Sequence, residues 1–575
     1  MKKRTATKSH FSPLRHWSLL ILLFGSFVVL GLQAGMLQWE QGEFLKQQGE
    51  ARVVRTLTIK STRGRIRDRN GELLAVSTPV DSLWMDPQLL CESKSAMAQV
   101  ASALGRSEAS LAQECVKAGS TSFRFLKRHM APADASKILE LNIQGLFSQR
   151  EYKRYYPTGP NSAHIVGFTN IDDVGQEGLE RNFDALLSGT SGRIRVVRDR
   201  KGRVIDSVDR LKEVEHGEDL DISIDSRIQY ATRRALAKVV REFNAVGASA
   251  VVLDSHTGEI LSMVNFPDYN PNRRRSGESS TYRNRAVTDL FEPGSTVKPF
   301  TVAMALDSGE FNVDQIISTS PGEMKIGRHV IHDVHDYGDL SVSRVIIKSS
   351  NVGVAKIALQ LSPQQLVGVL HNVGFGAPSG VELPGERAGY LPRREKWRPI
   401  EHATLSYGYG LSSTPIQLAQ AYSVLANGGK LVPLTIRKRR QPAKSERVLA
   451  ESVVKKITQM LELVVSSAGT AKRASVPHYR AAGKTGTSKK VVDGRYAANK
   501  YFSSFAGFAP ASNPRFVMAV VVDEPRKGGY FGGLVAAPVF AEVMAETLRL
   551  YNVHPDKISP DAQHVARLVR PEGDV

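Results

Sequence analysis

The chain has 575 residues, 41% of them hydrophobic and 23% charged, which is too long for one ordinary core and implies at least two domains. Its formal charge of +20 gathers in scattered basic knots at 273–275, 193–203 and 437–440. No nucleic-acid fold signature accompanies them, so they read as surface near anionic lipid or an anionic polymer, with no nucleic-acid partner.

Residues Trp17 to Leu37 carry no charge, and their length suits one helical crossing of a bilayer. Lys2, Lys3, Arg4, Lys8 and Arg15 precede the stretch without an acid, whereas Glu40, Glu43 and Glu50 follow it. The positive-inside bias therefore predicts a cytoplasmic tail over 1–16, an anchor over 17–37 and everything later on the outer side. The stretch exceeds a usual signal-peptide core and lacks a small-x-small cleavage site, so an uncleaved anchor is expected. Cys91 and Cys115 fall on the outer side, where they form either one disulfide or two small buried hydrophobes; spacing does not choose.

From 51 to 215 the text is strand-like with charged turns, an elongated first domain. Asn70-Gly71 marks a tight turn between extended runs. Residues 93–119 and 131–141 have helical spacing, and Gln176 opens a helix-like stretch to Leu187. Asp172-Asp173 reads as a solvated turn. No nucleophile and base converge here, so a structural, pedestal role is expected. The second domain is expected over 220–552. In it 227–243 reads as a helix, 248–253 and 260–264 as strands joined by a hairpin at Asp254–Gly258, 501–508 and 516–522 as strands, and 536–551 as a closing helix. Strands at both ends with helices between predict an α+β fold, an antiparallel sheet flanked by helices. A polar tail over 553–575 is expected to be loose.

Three words in this second domain carry chemistry. Pro293-Gly294 breaks the chain before Ser295-Thr-Val-Lys298, which places Ser295 in the first turn of a helix and Lys298 one turn on. A serine hydroxyl attacks only when a neighbour takes its proton, and a lysine can do so only when neutral. Burial or a nearby cation must lower its pKa, and Lys484 is a candidate for that cation. Ser349-Ser-Asn351 ends a helix-like run from Ser341. Ser349 and Asn351 are two apart, so they share a cleft only at an irregular helix end, where the hydroxyl can pass a proton and the amide can orient Lys298. In Lys484-Thr-Gly-Thr487, a strand puts Lys484 and Gly486 on one side and Thr485 and Thr487 on the other. Gly486 then removes a side chain that would block a ligand backbone, and the N–H groups of Ser295 and Thr487 can form an oxyanion hole. Each word alone reads as a solvated helix face, a polar turn or a strand edge. The order of all three is specific.

His329, His332, Asp333 and His335 suggest a metal. On a strand, however, His332 points away from the other three, and the cluster reads as ordered polar surface with no metal.

The set resembles that of penicillin-binding proteins, most closely the class B, FtsI-type division transpeptidases (penicillin-binding protein 3). The resemblance covers nearly the whole chain. It extends to Arg63-Gly-Arg-Ile-Arg-Asp-Arg-Asn-Gly71, Arg150-Glu-Tyr-Lys-Arg154, His164-Ile-Val-Gly167, Gly175-Gln-Glu-Gly-Leu-Glu180, Tyr407-Gly-Tyr-Gly410 and Tyr530-Phe-Gly-Gly-Leu534. It implies acylation of Ser295 by D-Ala-D-Ala stem peptides and by β-lactams, with Lys298 as base and Ser349, Asn351 and Lys484 managing protons and orientation. Thr485 and Thr487 would hold the substrate carboxylate, and Tyr409 and Phe531 would wall the cleft. An acceptor amine would complete cross-linking of peptidoglycan without a cofactor. The resemblance also implies the bacterial inner membrane, a periplasmic catalytic domain, and a membrane glycosyltransferase of the FtsW type with other division proteins as partners. The rival readings are a β-lactamase or carboxypeptidase, and a penicillin-sensing scaffold. Ser488-Lys489-Lys490 departs from the family's usual Ala-Arg-Lys and leaves the paralogue open.

Overall fold

The computed structural model describes residues 13–557 apart from 41, 45, 47–53, 120, 199–203, 275–278 and 442. Pro13–Glu40 forms one continuous helix with no buried residue, reaching beyond the expected span of 17–37 at both ends. Among the described residues it alone is long and apolar enough to cross a membrane. A helix satisfies its own backbone polar groups, so apolar side chains can cover it on all sides. The basic cluster of residues 2–8 and the last part of the expected tail, 558–575, lie outside the described residues.

The first domain is built on a long strand, Leu73–Met85. It pairs with Ile66–Arg67 across the Asn70-Gly71 turn, then runs between Arg124–Met130 and Leu146–Tyr155. Asp68 makes the turn by accepting the N–H groups of Asn70 and Glu72 at 2.8 and 2.9 Å. Val54–Ile59, Gly192–Arg198 and Val204–Lys212 form a separate three-stranded sheet. The helix predicted over 93–119 is two helices, Lys94–Leu104 and Glu108–Ala118. Gly105 ends the first at φ +65°, and Ser107 starts the second by accepting the Ser110 N–H. The stretch to Leu187 likewise divides, at Phe183, into Gly178–Asn182 and Asp184–Ser188. A small satellite core holds Leu83, Val100, Leu111 and Leu126. A Cys91–Cys115 disulfide closes it, deciding between the two readings of the cysteines.

Three of the quoted motifs of this domain meet at one buried carboxylate. Glu180 accepts Arg63 Nε and Arg154 Nε, each at 2.6 Å, and Arg63 Nη1 also reaches Asp184 at 2.7 Å. All three side chains of the Arg63–Glu180–Arg154 triad are buried. The Asp172-Asp173 turn is only half solvated. Asp172 is exposed beside Arg128, whereas burial pushes the Asp173 carboxyl up to about 6.

The second domain carries a five-stranded antiparallel sheet. Its order is Ile260–Phe266, Gly247–Asp254, Phe516–Asp523, Arg495–Ala509, Ala482–Val492. The last hairpin is longer than the strand predicted over 501–508. Ser226–Glu242 and Ala537–Leu550 are helices near the spans predicted for them. Leu220–Asp221, which the predicted boundary assigns to the second domain, pairs in parallel with Ile66–Arg67 of the first. One continuous core runs from Ile66 and Leu74 into the sheet of the second domain, so the two domains share an apolar interior.

Removing the acid from the buried triad leaves the buried Arg154 guanidinium without a carboxylate and Arg63 with Asp184 alone. Glu180→Ala is expected to cost ~3–5 kcal/mol in urea denaturation of the full chain. A loss under ~1 kcal/mol would show that the triad is not a structural centre.

Candidate active site

The predicted chemistry converges on a cleft of about 640 Å³ lined by Ser295, Ser349, Asn351, Thr485 and Thr487, with Tyr409 and Phe531 on its walls. Ser295 lies in a 3-10 turn, Gly294–Val297, that leads into the helix Lys298–Asp307, one step earlier than the predicted α-helical first turn. This turn is clamped from several sides. Thr296 is fully buried, its carbonyl accepts the Tyr422 hydroxyl at 2.9 Å, and the Glu292 carbonyl accepts Ser488 Oγ at 2.6 Å.

Behind the serine lie two fully buried lysines. Lys298 Nζ donates to Ser349 O at 2.5 Å, Asn351 Oδ1 at 2.8 Å and Ser349 Oγ at 3.3 Å. Lys484 Nζ donates to the same Ser349 Oγ at 2.9 Å. One hydroxyl thus bridges two amines. Burial holds the Lys298 ammonium well below its ordinary range, Lys484 pushes it lower, and Asp333 works in the opposite direction. Burial alone brings Lys484 to about 7. A neutral amine can take a proton, so this pair can act as base and relay.

Ser349 holds its place through backbone geometry. It ends the helix Val342–Lys348 at φ +62°, ψ +36°, a left-handed conformation uncommon for serine. Ser350 then caps the next helix, Asn351–Leu359, by accepting the Gly353 N–H. The junction of the two helices is the irregular helix end that the word required.

Sequence reasoning misjudged three residues here. The strand ends at His332, and Asp333 turns inward from it instead of sharing a strand face with His329 and His335. Its carboxylate accepts Ser350 Oγ at 2.5 Å and the N–H groups of Asn351 and Val352 at 2.5 and 3.1 Å. It therefore caps the helix that presents Asn351, and its place in a His-rich run was the only signal. Among the described residues no cluster of His, Cys, Asp and Glu fits a metal ion. Gly486 needs its bare Cα for a different reason from the one predicted. A Cβ there would lie 2.3 Å from Ser504 Oγ, 2.7 Å from Pro293 O and 2.9 Å from Thr296 Cγ2, so the glycine admits the nucleophile's own turn, not a ligand. Thr470 gave no signal at all, yet its hydroxyl meets that of Thr485 at 3.0 Å. On the same face, Thr487 Oγ1 accepts the Gly532 N–H at 3.1 Å. Lys484 sits on an edge strand, but buried inside it, not guarding the edge.

Comparison with known proteins fits this geometry. Residues 248–545 match the penicillin binding protein transpeptidase domain and 58–222 the penicillin-binding protein dimerisation domain. The chain is 42% identical to the probable peptidoglycan D,D-transpeptidase PbpC of Pseudomonas aeruginosa, over 95% of this chain and 98% of that protein. It is 39% identical to the peptidoglycan D,D-transpeptidase FtsI of Escherichia coli, over 94% and 93%. The crystal structure of penicillin binding protein 3 from Mycobacterium tuberculosis, complexed with aztreonam, is similar at a TM-score of 0.68 and 27% identity, covering 87% of this chain and 98% of that one. The chain belongs to the penicillin-binding proteins, with a dimerisation domain followed by a transpeptidase domain.

The electrostatics of the pair set a pH signature. Lys484→Met removes a like charge beside Lys298, so the acid limb of the acylation rate by penicillin should move to higher pH, and the rate should fall roughly 10²–10⁴-fold. Asp333→Asn removes an opposite charge and should move the same limb to lower pH. The stability sign follows from the lowered pKa. Between about 7 in the folded state and the ordinary lysine value when unfolded, the unfolded chain binds the extra proton, so stability rises with pH across that window. Lys484→Met should therefore melt higher than the parent near neutral pH, with the gain fading as pH is raised. Melting curves taken over a pH series check this; a gain that grows with pH would contradict it.

Proposed function

We propose that the chain is a peptidoglycan D,D-transpeptidase that cross-links stem peptides during septal wall synthesis in bacteria. The observation that carries the reading is the Ser349 hydroxyl shared by two buried lysines, one of them next to the serine turn. Ser295 Oγ attacks the penultimate D-Ala carbonyl as its proton passes to neutral Lys298. The N–H groups of Ser295 and Thr487 receive the oxyanion, and Thr485 and Thr487 hold the terminal carboxylate. As the tetrahedral adduct collapses, Ser349 relays a proton between the lysines and the leaving D-Ala nitrogen. An amine of a second stem then attacks the Ser295 ester by the reverse sequence, so proton and acyl group are both conserved and no cofactor enters. A β-lactam follows the first half only, its ring C–N bond opening to leave an acyl ester on Ser295; the aztreonam complex of the mycobacterial relative supports this.

The apolar helix supports an inner-membrane anchor with the N-terminus in the cytoplasm and both folded domains in the periplasm. A disulfide suits that oxidising side. The family resemblance supports partnership with a membrane glycosyltransferase of the FtsW type and with division proteins. Nearly equal identity to PbpC and to FtsI supports a second reading, a specialised sister transpeptidase.

Fluorescent penicillin should label the protein and fail to label Ser295→Ala; equal labelling of the two would sink the nucleophile assignment. A slowly decaying adduct together with cross-linked product from peptidoglycan precursor is the expected outcome. Rapid turnover of penicillin would favour a β-lactamase.

A further inference from the structure

The basic side chains that line the Ser295 cleft are His335, Lys348, Lys472 and Arg473, and no carboxylate is among the lining residues. Lys472 and Arg473 occupy a short 3-10 turn, Lys472–Ala474, joined to Thr470 through Ala471. That turn is fixed against the carboxylate-side threonine. Thr470 Oγ1 lies 3.0 Å from Thr485 Oγ1, and a Cβ on Gly533 would stand 2.4 Å from Thr470 O. Ala471 and Ala474 are buried beneath it, and the Ala471 N–H bonds to Val464 O at 2.9 Å. The two cationic side chains above are exposed. From the facing wall, Lys348 reaches across to Ala468 O at 3.1 Å. Among the described residues none of these three cations is paired with a carboxylate, although most arginines around the buried acids of this chain are. Val334, Tyr337, Phe531 and Leu534 supply apolar wall between them, and low-dielectric walls concentrate the field of such charges.

We infer that Lys472 and Arg473, with Lys348 opposite, form a cationic rim that captures the free C-terminal carboxylate of the donor stem and delivers it to Thr485 and Thr487. The carboxylate of a β-lactam takes the same route. This inference rests on the transpeptidase reading and adds a selection step to it. Donors ending in a free carboxylate are gathered faster than neutral ones before any bond changes. A guanidinium suits the task because its planar fork matches a carboxylate, and two threonine hydroxyls carry no charge with which to attract one from a distance. The rim residues are specificity-determining, and the covalent steps stay with Ser295 and the buried lysines.

The test is the acylation of the full chain by benzylpenicillin in neutral detergent, at about 20 mM and about 500 mM NaCl, because salt shortens the range of exposed charges. The second-order constant of the parent should fall as salt rises. Lys472→Gln/Arg473→Gln should be about 10-fold slower at low salt and nearly insensitive to salt. Its first-order rate at saturating penicillin should stay within about twofold of the parent, which also shows that the cleft is folded. Arg473→Lys alone should retain the salt dependence. Lys455→Gln, an exposed charge on the helix Glu451–Val465, should match the parent. An unchanged salt dependence in the double variant would overturn the rim. So would an equal loss in Lys455→Gln, because net charge would then explain the effect. Absence of acylation in the parent would instead remove the transpeptidase reading, and the rim with it.

Discussion

Two buried amines whose charged forms are both disfavoured by desolvation are the constraint on which this protein depends. Lys298 and Lys484 are fully buried and share the hydroxyl of Ser349. Both side chains are fully buried, so the desolvation cost of an ammonium falls on whichever amine holds the proton. Carbonyl, amide and hydroxyl oxygens accept their hydrogen bonds without bringing negative charge. The nearest opposing charge, Asp333, spends its hydrogen bonds on a helix N-terminus, where a carboxylate is stabilised by the free N–H groups. The site therefore stays poised between protonation states instead of settling into an ion pair.

The rest of the second domain can be understood as support for that pocket. The Ser295 turn passes between two glycines with almost no clearance. A Cβ on Gly408 would stand 2.1 Å from Gly294 O, and one on Gly486 would stand 2.7 Å from Pro293 O. Backbone packed against backbone leaves the nucleophile's turn little freedom. Ser349 is placed in the same way, by a left-handed residue between two capped helices. The pedestal applies an equivalent rule at a distance, with one acid, Glu180, neutralising two arginines contributed by separate motifs.

Much of this was legible in the sequence, and the parts that were not share a cause. The three words, the apolar helix, the Asn70-Gly71 turn and the Asp254–Gly258 hairpin were readable because each is a local pattern with a local consequence. Strand alternation separated Lys484 from Thr485 and Thr487 correctly. It failed for Gly486, since what a glycine makes room for depends on a segment about 190 residues away in sequence. Asp333 failed for a related reason. Extrapolating a strand by one residue put it on a surface, whereas the chain turns there and aims it at a helix it precedes by eighteen positions. Gly105, Ser107 and Phe183 broke stretches whose apolar spacing was otherwise helical, because a cap acts on one residue and a periodicity count averages over many.

The order of strands in the large sheet carries a consequence for how the enzyme comes into being. Phe516–Asp523 lies between the hairpin that opens the domain and the hairpin that bears Lys484. Ser295, Lys298, Ser349, Asn351 and the Lys484 strand all precede it in the chain. A nascent polypeptide can thus hold every reactive group and still lack the piece that joins the two halves of the sheet. The closing contacts span more than 260 residues, and such distant pairings form late. A chain stalled or clipped before residue 516 lacks that strand, and with it the hydrogen bonds that join the two hairpins.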